Sequence, residues 1–174
     1  MNKKIILSII IVLSAVCSAM SYGANFNDDV LDKIKINDAD IPEGFIYGSI
    51  PVFARPVLKM NPWALDRSAI DRLAKNIYPD GNSQSIKSIH MTILASNAEP
   101  YGDDIVCYLI LFKSSDGAKT EVKKLTDYVK YNSDRAILLT KNNLAVFIHT
   151  DDTANYDLIA DLSGKIQIRM DLEQ

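Results

Sequence analysis

The sequence lacks the short motifs that mark common catalytic and cofactor sites. Its 174 residues contain no Gly-rich phosphate loop, no CxxC or CxxCH sequence, and no GxSxG sequence around a serine. P-loop nucleotide binding, thioredoxin-type redox chemistry and c-type haem attachment are therefore excluded, and a serine nucleophile would lack its usual elbow. We expect no cofactor and no bound metal, and we assign no residue a catalytic role.

A basic surface is missing as well. The chain has 19 Lys and Arg against 22 Asp and Glu, which gives a net charge of −3, and neither sign forms a run. Proteins that bind nucleic acid usually carry a basic stripe, so the sequence predicts no nucleic-acid partner. Hydrophobic residues make up 48% of the chain and charged residues 24%, which is ordinary for a globular domain.

Residues 1–23 have the layout of a secretory signal peptide. Two lysines precede an apolar run over residues 5–16, and small residues follow the run. The run is shorter than the ~20 apolar residues that a membrane-spanning helix needs. We therefore expect cleavage after Gly23. The alternatives are cleavage after Ala19, an uncleaved anchor, and lipid attachment at Cys17, whose preceding residues match a lipobox poorly.

Removal of residues 1–23 changes the composition. The segment contains two lysines and no acid, so 17 basic and 22 acidic side chains remain, with a net charge of −5. Cys107 becomes the only cysteine, which excludes an internal disulfide. The sequence thus predicts an exported soluble protein, periplasmic or extracellular, without a membrane span after cleavage.

The rest of the chain predicts an N-terminal lead-in over residues 24–42 and a single α+β domain over 43–174. The lead-in is polar with few apolar residues, and it is either a short amphipathic helix or a loose segment. Residues 43–57 favour an extended edge segment, because prolines interrupt them. Hydrophobic patterns and turn residues predict the following elements: helix 62–78, capped by Asn61 and started by Pro62, strands 85–96 and 104–114, helix 116–131, a hairpin over 135–150 around Asn142 and Asn143, helix 154–164 and strand 165–173.

The predicted order of elements is β-α-β-β-α-β-β-α-β. Strand 104–114 is apolar on both faces and is therefore expected to be central. The last segment alternates as a half-buried strand does, with one apolar side formed by Ile166, Ile168, Met170 and Leu172. Because hairpins imply an antiparallel sheet, we expect a two-layer α+β fold with the helices on one face of the sheet.

The two histidines are the first candidates for chemistry. His90 and His149 each lie in a predicted strand, and Asp151 or Asp152 is a candidate partner in a metal or acid–base site. The histidines are 59 positions apart and form no HxH or HxxxH pair, so their spacing supports no metal site. The simpler interpretation is that both are structural residues. Cys107 lies in an apolar strand and is expected to be buried and unreactive.

Two further segments are candidates for binding. In residues 54–63, either Arg55 and Trp63 grip an acidic or aromatic partner, or Trp63 covers the core while Arg55 lies on the surface. In the loop over residues 97–104, Tyr101 is a candidate contact residue, although such acidic loops are often only solvated.

These features together predict a non-enzymatic binding or accessory module of the cell envelope. Its expected partner is an envelope protein or a small-molecule ligand. The alternative is a hydrolase or metal-dependent enzyme that uses His90, His149 and nearby carboxylates.

Overall fold

The computed structural model describes residues 24–48, 63–98 and 104–173. Within these residues, helices and strands are arranged around one antiparallel sheet, as the sequence predicts. The predicted signal peptide lies outside the described residues. The helices and strands are α1 (Asp29–Ile34), β1 (Phe45–Tyr47), β2 (Trp63–Ala64), α2 (Arg67–Ile77), β3 (Ile86–Ser96), β4 (Ile105–Phe112), α3 (Ser115–Tyr131), β5 (Ala136–Lys141), β6 (Leu144–Thr150) and α4 (Tyr156–Leu172).

The sheet has the strand order β1-β3-β4-β6-β5, and β2 pairs with β3 on the same side as β1. All of these pairings are antiparallel. Strand β4 is central, as its apolar residues predict, and among the described strands β1 lies at one edge of the sheet, as predicted for the segment that begins at residue 43. The arrangement α2-β3-β4 recurs as α3-β5-β6, with both helices on the same face of the sheet.

Helices cover both faces of the sheet, so the expected two-layer arrangement is wrong. The side chains of β4 alternate between two apolar clusters. Ile110 and Phe112 pack in the cluster that includes α2 and α3, whereas Cys107 and Leu109 pack in the cluster that includes α1 and α4. A strand that is apolar on both sides needs cover on both sides, because successive side chains point to opposite faces. We call these sides the α2/α3 face and the α1/α4 face.

The predicted C-terminal strand is also wrong, because α4 continues through Gly164 to Leu172. Ile168 and Leu172, which the strand pattern placed in the core, are 65% and 76% exposed. A Cβ atom at Gly164 would meet nothing within 4 Å, and this glycine does not end the helix. The buried residues of α4 recur at the three- and four-residue spacing of a helix, and they are Ile159, Leu162, Ser163, Ile166 and Met170. The observed order is therefore α-β-β-α-β-β-α-β-β-α.

Helix α2 begins five residues later than predicted, at Arg67. The Asp66 carboxylate accepts a hydrogen bond from the Ala69 amide at 2.8 Å, so Asp66 is the N-cap. The residues before it, Trp63–Ala64, pair with β3 instead of starting the helix. This pairing satisfies backbone groups outside the helix and moves the helix start along the chain. The predicted cap, Asn61, lies outside the described residues.

The lead-in forms a short helix and is packed against the sheet. Helix α1 buries Val30, Leu31 and Ile34 on the α1/α4 face. These are the apolar residues that an amphipathic helix in this segment requires, and the alternative of a loose segment is wrong.

Candidate functional site

The structure places the two histidines on opposite faces of the sheet. The His90 ring lies on the α1/α4 face, where its Nδ1 is 4.0 Å from Asp32 Oδ1 of α1. The His149 ring lies on the α2/α3 face, where its centroid is 5.2 Å from that of Phe147. Strand β4 also separates the strands that carry them. The two imidazoles therefore cannot bind a common metal ion or substrate atom.

The carboxylates that follow His149 have separate roles. Asp152 accepts a hydrogen bond from the Ala154 amide at 2.9 Å and caps the short 3₁₀ helix Thr153–Asn155. Asp151 lies close enough to His149 to oppose, in part, the lowering of its pKa. Among the described residues, no group of three or more His, Cys, Asp or Glu side chains is arranged to hold a metal ion.

His90 borders a small cavity of about 220 Å³ between α1 and the edge of β3. The Ser88 hydroxyl in this cavity donates a hydrogen bond to the Asp28 carboxylate, which also pairs with Lys87 at 2.8 Å. These hydrogen bonds hold the pKa of Asp28 below its usual value, and burial lowers the pKa of His90. Ser88 is thus held by an ionised acid, which is not the serine–histidine hydrogen bond of an activated nucleophile.

Cys107 is buried, as predicted. Its side chain is 1% exposed on the α1/α4 face, and burial raises the pKa of its thiol to about 12. A thiol in this state is a poor nucleophile at neutral pH.

The candidate binding residues lie largely beyond the described part of the chain. Arg55 and Tyr101 are both outside it. The backbone of Trp63 is described, and it pairs with Met91 of β3. The contact between Arg55 and Trp63, and the role of Tyr101, therefore stay predictions.

One end of the α2/α3 face is only partly buried, and its residues Ile93, Val106 and Tyr108 pack against the margin of the cluster that includes α2 and α3. We call this end the open face and define it by Ile46, Ile93, Val106, Tyr108 and His149. Ile46 is 52% exposed, and the other four are partly exposed. On the opposite side of the same strands, four residues are fully buried: Leu94, Ile105, Cys107 and Ile148.

The residues of the open face come from four strands, β1, β3, β4 and β6. Ile93 pairs with Val106, and Val106 pairs with His149, so these side chains form one row across β3, β4 and β6. Beyond β3 the row ends at Gly48, a buried residue whose amide donates to the Ile93 carbonyl at 2.8 Å. A Cβ atom at Gly48 would lie 2.8 Å from Ile93 Cγ2, so the glycine leaves room for the Ile93 side chain.

Aromatic rings form the other half of the open face. The rings of Tyr108 and His149 are 6.1 Å apart with an interplanar angle of 19°. The buried Phe147 ring belongs to the same cluster, with its centroid 6.2 Å from that of Tyr108 and its plane at 28° to that of His149. Burial lowers the pKa of His149 and raises that of Tyr108 to about 12, so both rings are uncharged at neutral pH. This arrangement is suited to stacking against another flat, uncharged ring.

The sequence alone did not identify the open face. The alternation of residues within each strand is readable, but the side-by-side position of Val106 and His149 depends on the register between β4 and β6. Tyr108 also looks like an ordinary core residue within an apolar strand.

No family model, curated protein or solved structure shows significant similarity to the chain. Among the residues that the structure describes, no helix is long and apolar enough to cross a membrane.

Proposed function

We propose that this protein is an exported, non-enzymatic module of the cell envelope that binds a small ligand on its open face. The ligand carries a flat, uncharged aromatic ring. The proposal rests on a contrast between the two faces at one end of the sheet. The side chains there are buried on the α1/α4 face and partly exposed on the α2/α3 face. Apolar surface left open beside ordered rings is typical of binding sites.

The ring chemistry of the site supports an aromatic ligand rather than a charged one. His149 and Tyr108 are neutral, nearly parallel and partly exposed, which favours contact with a third, uncharged ring. Ile93 and Val106 supply an apolar floor next to the rings.

The alternative of an enzyme that uses both His90 and His149 finds no support, because their rings lie on opposite faces of the sheet. Export rests on the layout of residues 1–23. N-terminal sequencing of the secreted protein tests it, with an expected start between residues 20 and 25. A lipid-modified start at Cys17 would replace this with a tethered protein.

Titration with a neutral aromatic dye, N-phenyl-1-naphthylamine, tests the site. We expect saturable binding by the secreted protein, and His149→Ala should weaken it about tenfold, the loss of about 1.4 kcal/mol of stacking. His149→Phe retains a ring and should restore affinity. Leu172→Ala removes an exposed apolar side chain of α4 and serves as the matched control, with unchanged binding.

Two results would overturn the proposal. One is dye binding that is absent from the folded protein or unchanged in His149→Ala. The other is an envelope protein that occupies the open face and excludes the dye, which would make the partner a protein and not a small ligand.

A further inference from the structure

Strand β5 ends the sheet without the features that usually protect an edge. Among the described residues, no strand pairs with its outer side. Its sequence AILLTK has no proline, and its pairing with β6 runs over six residues without a bulge. Exposed edges of this kind are templates for pairing with another strand, and proteins normally block them with proline, bulges or charged side chains.

The single charged residue of β5 does not guard the edge. Lys141 Nζ donates to the backbone carbonyls of Met170 at 2.6 Å and Glu173 at 2.9 Å, at the C-terminal end of α4. The ammonium group is thereby turned toward the fold and stabilised by the negative end of the helix. The outer side of β5 is left with backbone groups and apolar or hydroxyl side chains.

The hydrogen-bond pattern fixes which backbone groups are free. The Thr150 amide donates to the Arg135 carbonyl at 3.0 Å, and Lys141 pairs with Leu144 across a two-residue turn. Antiparallel ladders alternate, so the odd-numbered residues of β5 bond toward β6. The N–H and C=O groups of Ala136, Leu138 and Thr140 therefore point away from the sheet.

The outward backbone groups of these three residues can pair with the same groups of a second copy that is related by a two-fold rotation. With the axis perpendicular to the sheet at Leu138, each Leu138 lies opposite its copy, and each Ala136 lies opposite Thr140 of the second copy. Such an axis keeps the α2/α3 face on one side of the extended sheet. The pairing forms about six backbone hydrogen bonds, and it uses every free group of the edge.

We propose that the protein forms a symmetric dimer by antiparallel pairing of β5 with β5 of a second copy. The side chains beside the edge favour this partner. A groove of about 390 Å³ runs between α3 and β5, with Val122, Val129 and Leu138 in its lining, and the two-fold axis brings the second Leu138 to its mouth. On the α1/α4 face, Ile137 lies opposite Leu139 of the second copy.

Charge does not oppose the pairing. Arg135 lies opposite Lys141 of the second copy, but Arg135 pairs with Asp134 at 3.1 Å, and Lys141 is held at the end of α4. The contact consists of one strand pair and two flanking grooves, which is smaller than the ~1,600 Å² of a standard interface. The dimer is therefore expected to be weak, with a dissociation constant on the order of 10 to 100 μM.

Sedimentation equilibrium of the secreted protein from low micromolar to millimolar concentration tests the dimer. Thr140→Pro removes one outward N–H without removing a bond to β6, and Thr140→Lys adds a charge to the edge. Both variants are expected to stay monomeric over this range with melting temperatures close to that of the parent. Thr140→Ala keeps the N–H group and is the matched control, with the dimer retained.

Hydrogen exchange supplies a second readout that needs no variant. Protection of the Leu138 and Thr140 amides should rise with protein concentration, whereas the Lys141 amide, which bonds within the hairpin, should be protected throughout. A monomer up to millimolar concentration would overturn the proposal. So would a dimer that persists in a folded Thr140→Pro, or a dimer that leaves the Leu138 and Thr140 amides unprotected.

Discussion

The side chain of Asn143 holds the backbone of Phe26, which lies 117 residues away in the chain. Asn143 Oδ1 accepts from the Phe26 amide at 2.7 Å, and Nδ2 donates to the Phe26 carbonyl at 3.2 Å and to the Phe112 carbonyl at 2.9 Å. The hairpin turn between β5 and β6 thus fastens the N-terminal lead-in to the end of β4. Asn143 is 2% exposed, so water cannot replace these bonds.

Asn143→Ala is expected to destabilise the protein by about 2–3 kcal/mol, because buried backbone groups lose their partners. Urea denaturation of the two proteins measures the difference. Limited proteolysis should also cut the variant faster within residues 24–36. Thr140→Ala is the matched control, because Thr140 is an exposed residue of the same hairpin and should tolerate the change, whereas the Asn142 side chain itself donates to the Ala24 carbonyl of the lead-in at 3.1 Å. Equal stability of Asn143→Ala and the parent would show that the lead-in is held in another way.

The start of α2 supplies a second prediction. Asp66→Ala should cost about 1 kcal/mol, because it removes the cap on the Ala69 amide. Asn61→Ala should leave stability unchanged, because the helix begins at Arg67. Thermal melts of both variants separate the two possible starts. A cost for Asn61→Ala and none for Asp66→Ala would restore the helix start that the sequence pattern indicated.

Elements with a strong local signal were predictable from the sequence. Asn142 adopts the positive φ that a two-residue hairpin requires, and α3 buries the predicted Ala118 and Leu125. The prediction of a C-terminal strand failed because the spacing of its apolar residues fits a strand and a helix alike. Ile166 and Met170 are four residues apart, a spacing that suits one face of a strand and one face of a helix equally. The choice depended on packing against the sheet, which no local pattern contains.

The candidate site depends even more on tertiary structure. The face that each histidine occupies follows from strand register, which a single sequence does not reveal. Glu121 shows the same limit. A glutamate in a charged helix is usually solvated, yet this one is 1% exposed. A weak signal existed, since position 121 falls between the buried Ala118 and Leu125 in the apolar stripe of α3.

Glu121 links α3 to the turn after α2 and makes stability depend on pH. Its carboxylate accepts from the Tyr78 hydroxyl at 2.7 Å, the Asn82 amide at 2.9 Å and Lys124 Nζ at 2.7 Å. Burial alone would raise the pKa of Glu121, but the hydrogen bonds outweigh it and hold the pKa below the ordinary value of 4.5. The folded state therefore favours the ionised form.

The sign of the pH effect follows from this lowered pKa. The stabilisation from Glu121 is complete above the unfolded value of 4.5 and is lost as the pH falls through the folded pKa. Glu121→Gln should lower the free energy of unfolding by about 2 kcal/mol at pH 7. The variant should also lose less of this free energy than the parent does between pH 5 and 3. Urea denaturation at several pH values measures both effects. Glu43→Gln, at an exposed position, is the control, and identical pH profiles for all three proteins would remove Glu121 from this role.

His149 provides the last prediction, because the proposed aromatic site requires an uncharged ring. Burial lowers the pKa of His149 below its ordinary value of 6.5, although Asp151 opposes the shift. The unfolded chain therefore binds a proton at higher pH than the folded protein does. Stability is unaffected by this group above pH 6.5 and falls as the pH drops from there toward the folded pKa.

His149→Phe should accordingly match the parent in stability at pH 8 and exceed it at pH 5. The pKa of His90 is lowered as well. The same measurements on His90→Phe therefore separate the contribution of His90 to the pH dependence of stability from that of His149. NMR titration of the imidazole C–H resonances measures both pKa values directly. A value for His149 at or above 6.5 would mean that the ring is charged in weakly acidic solution, and the neutral stack on the open face would then be the wrong description of the site.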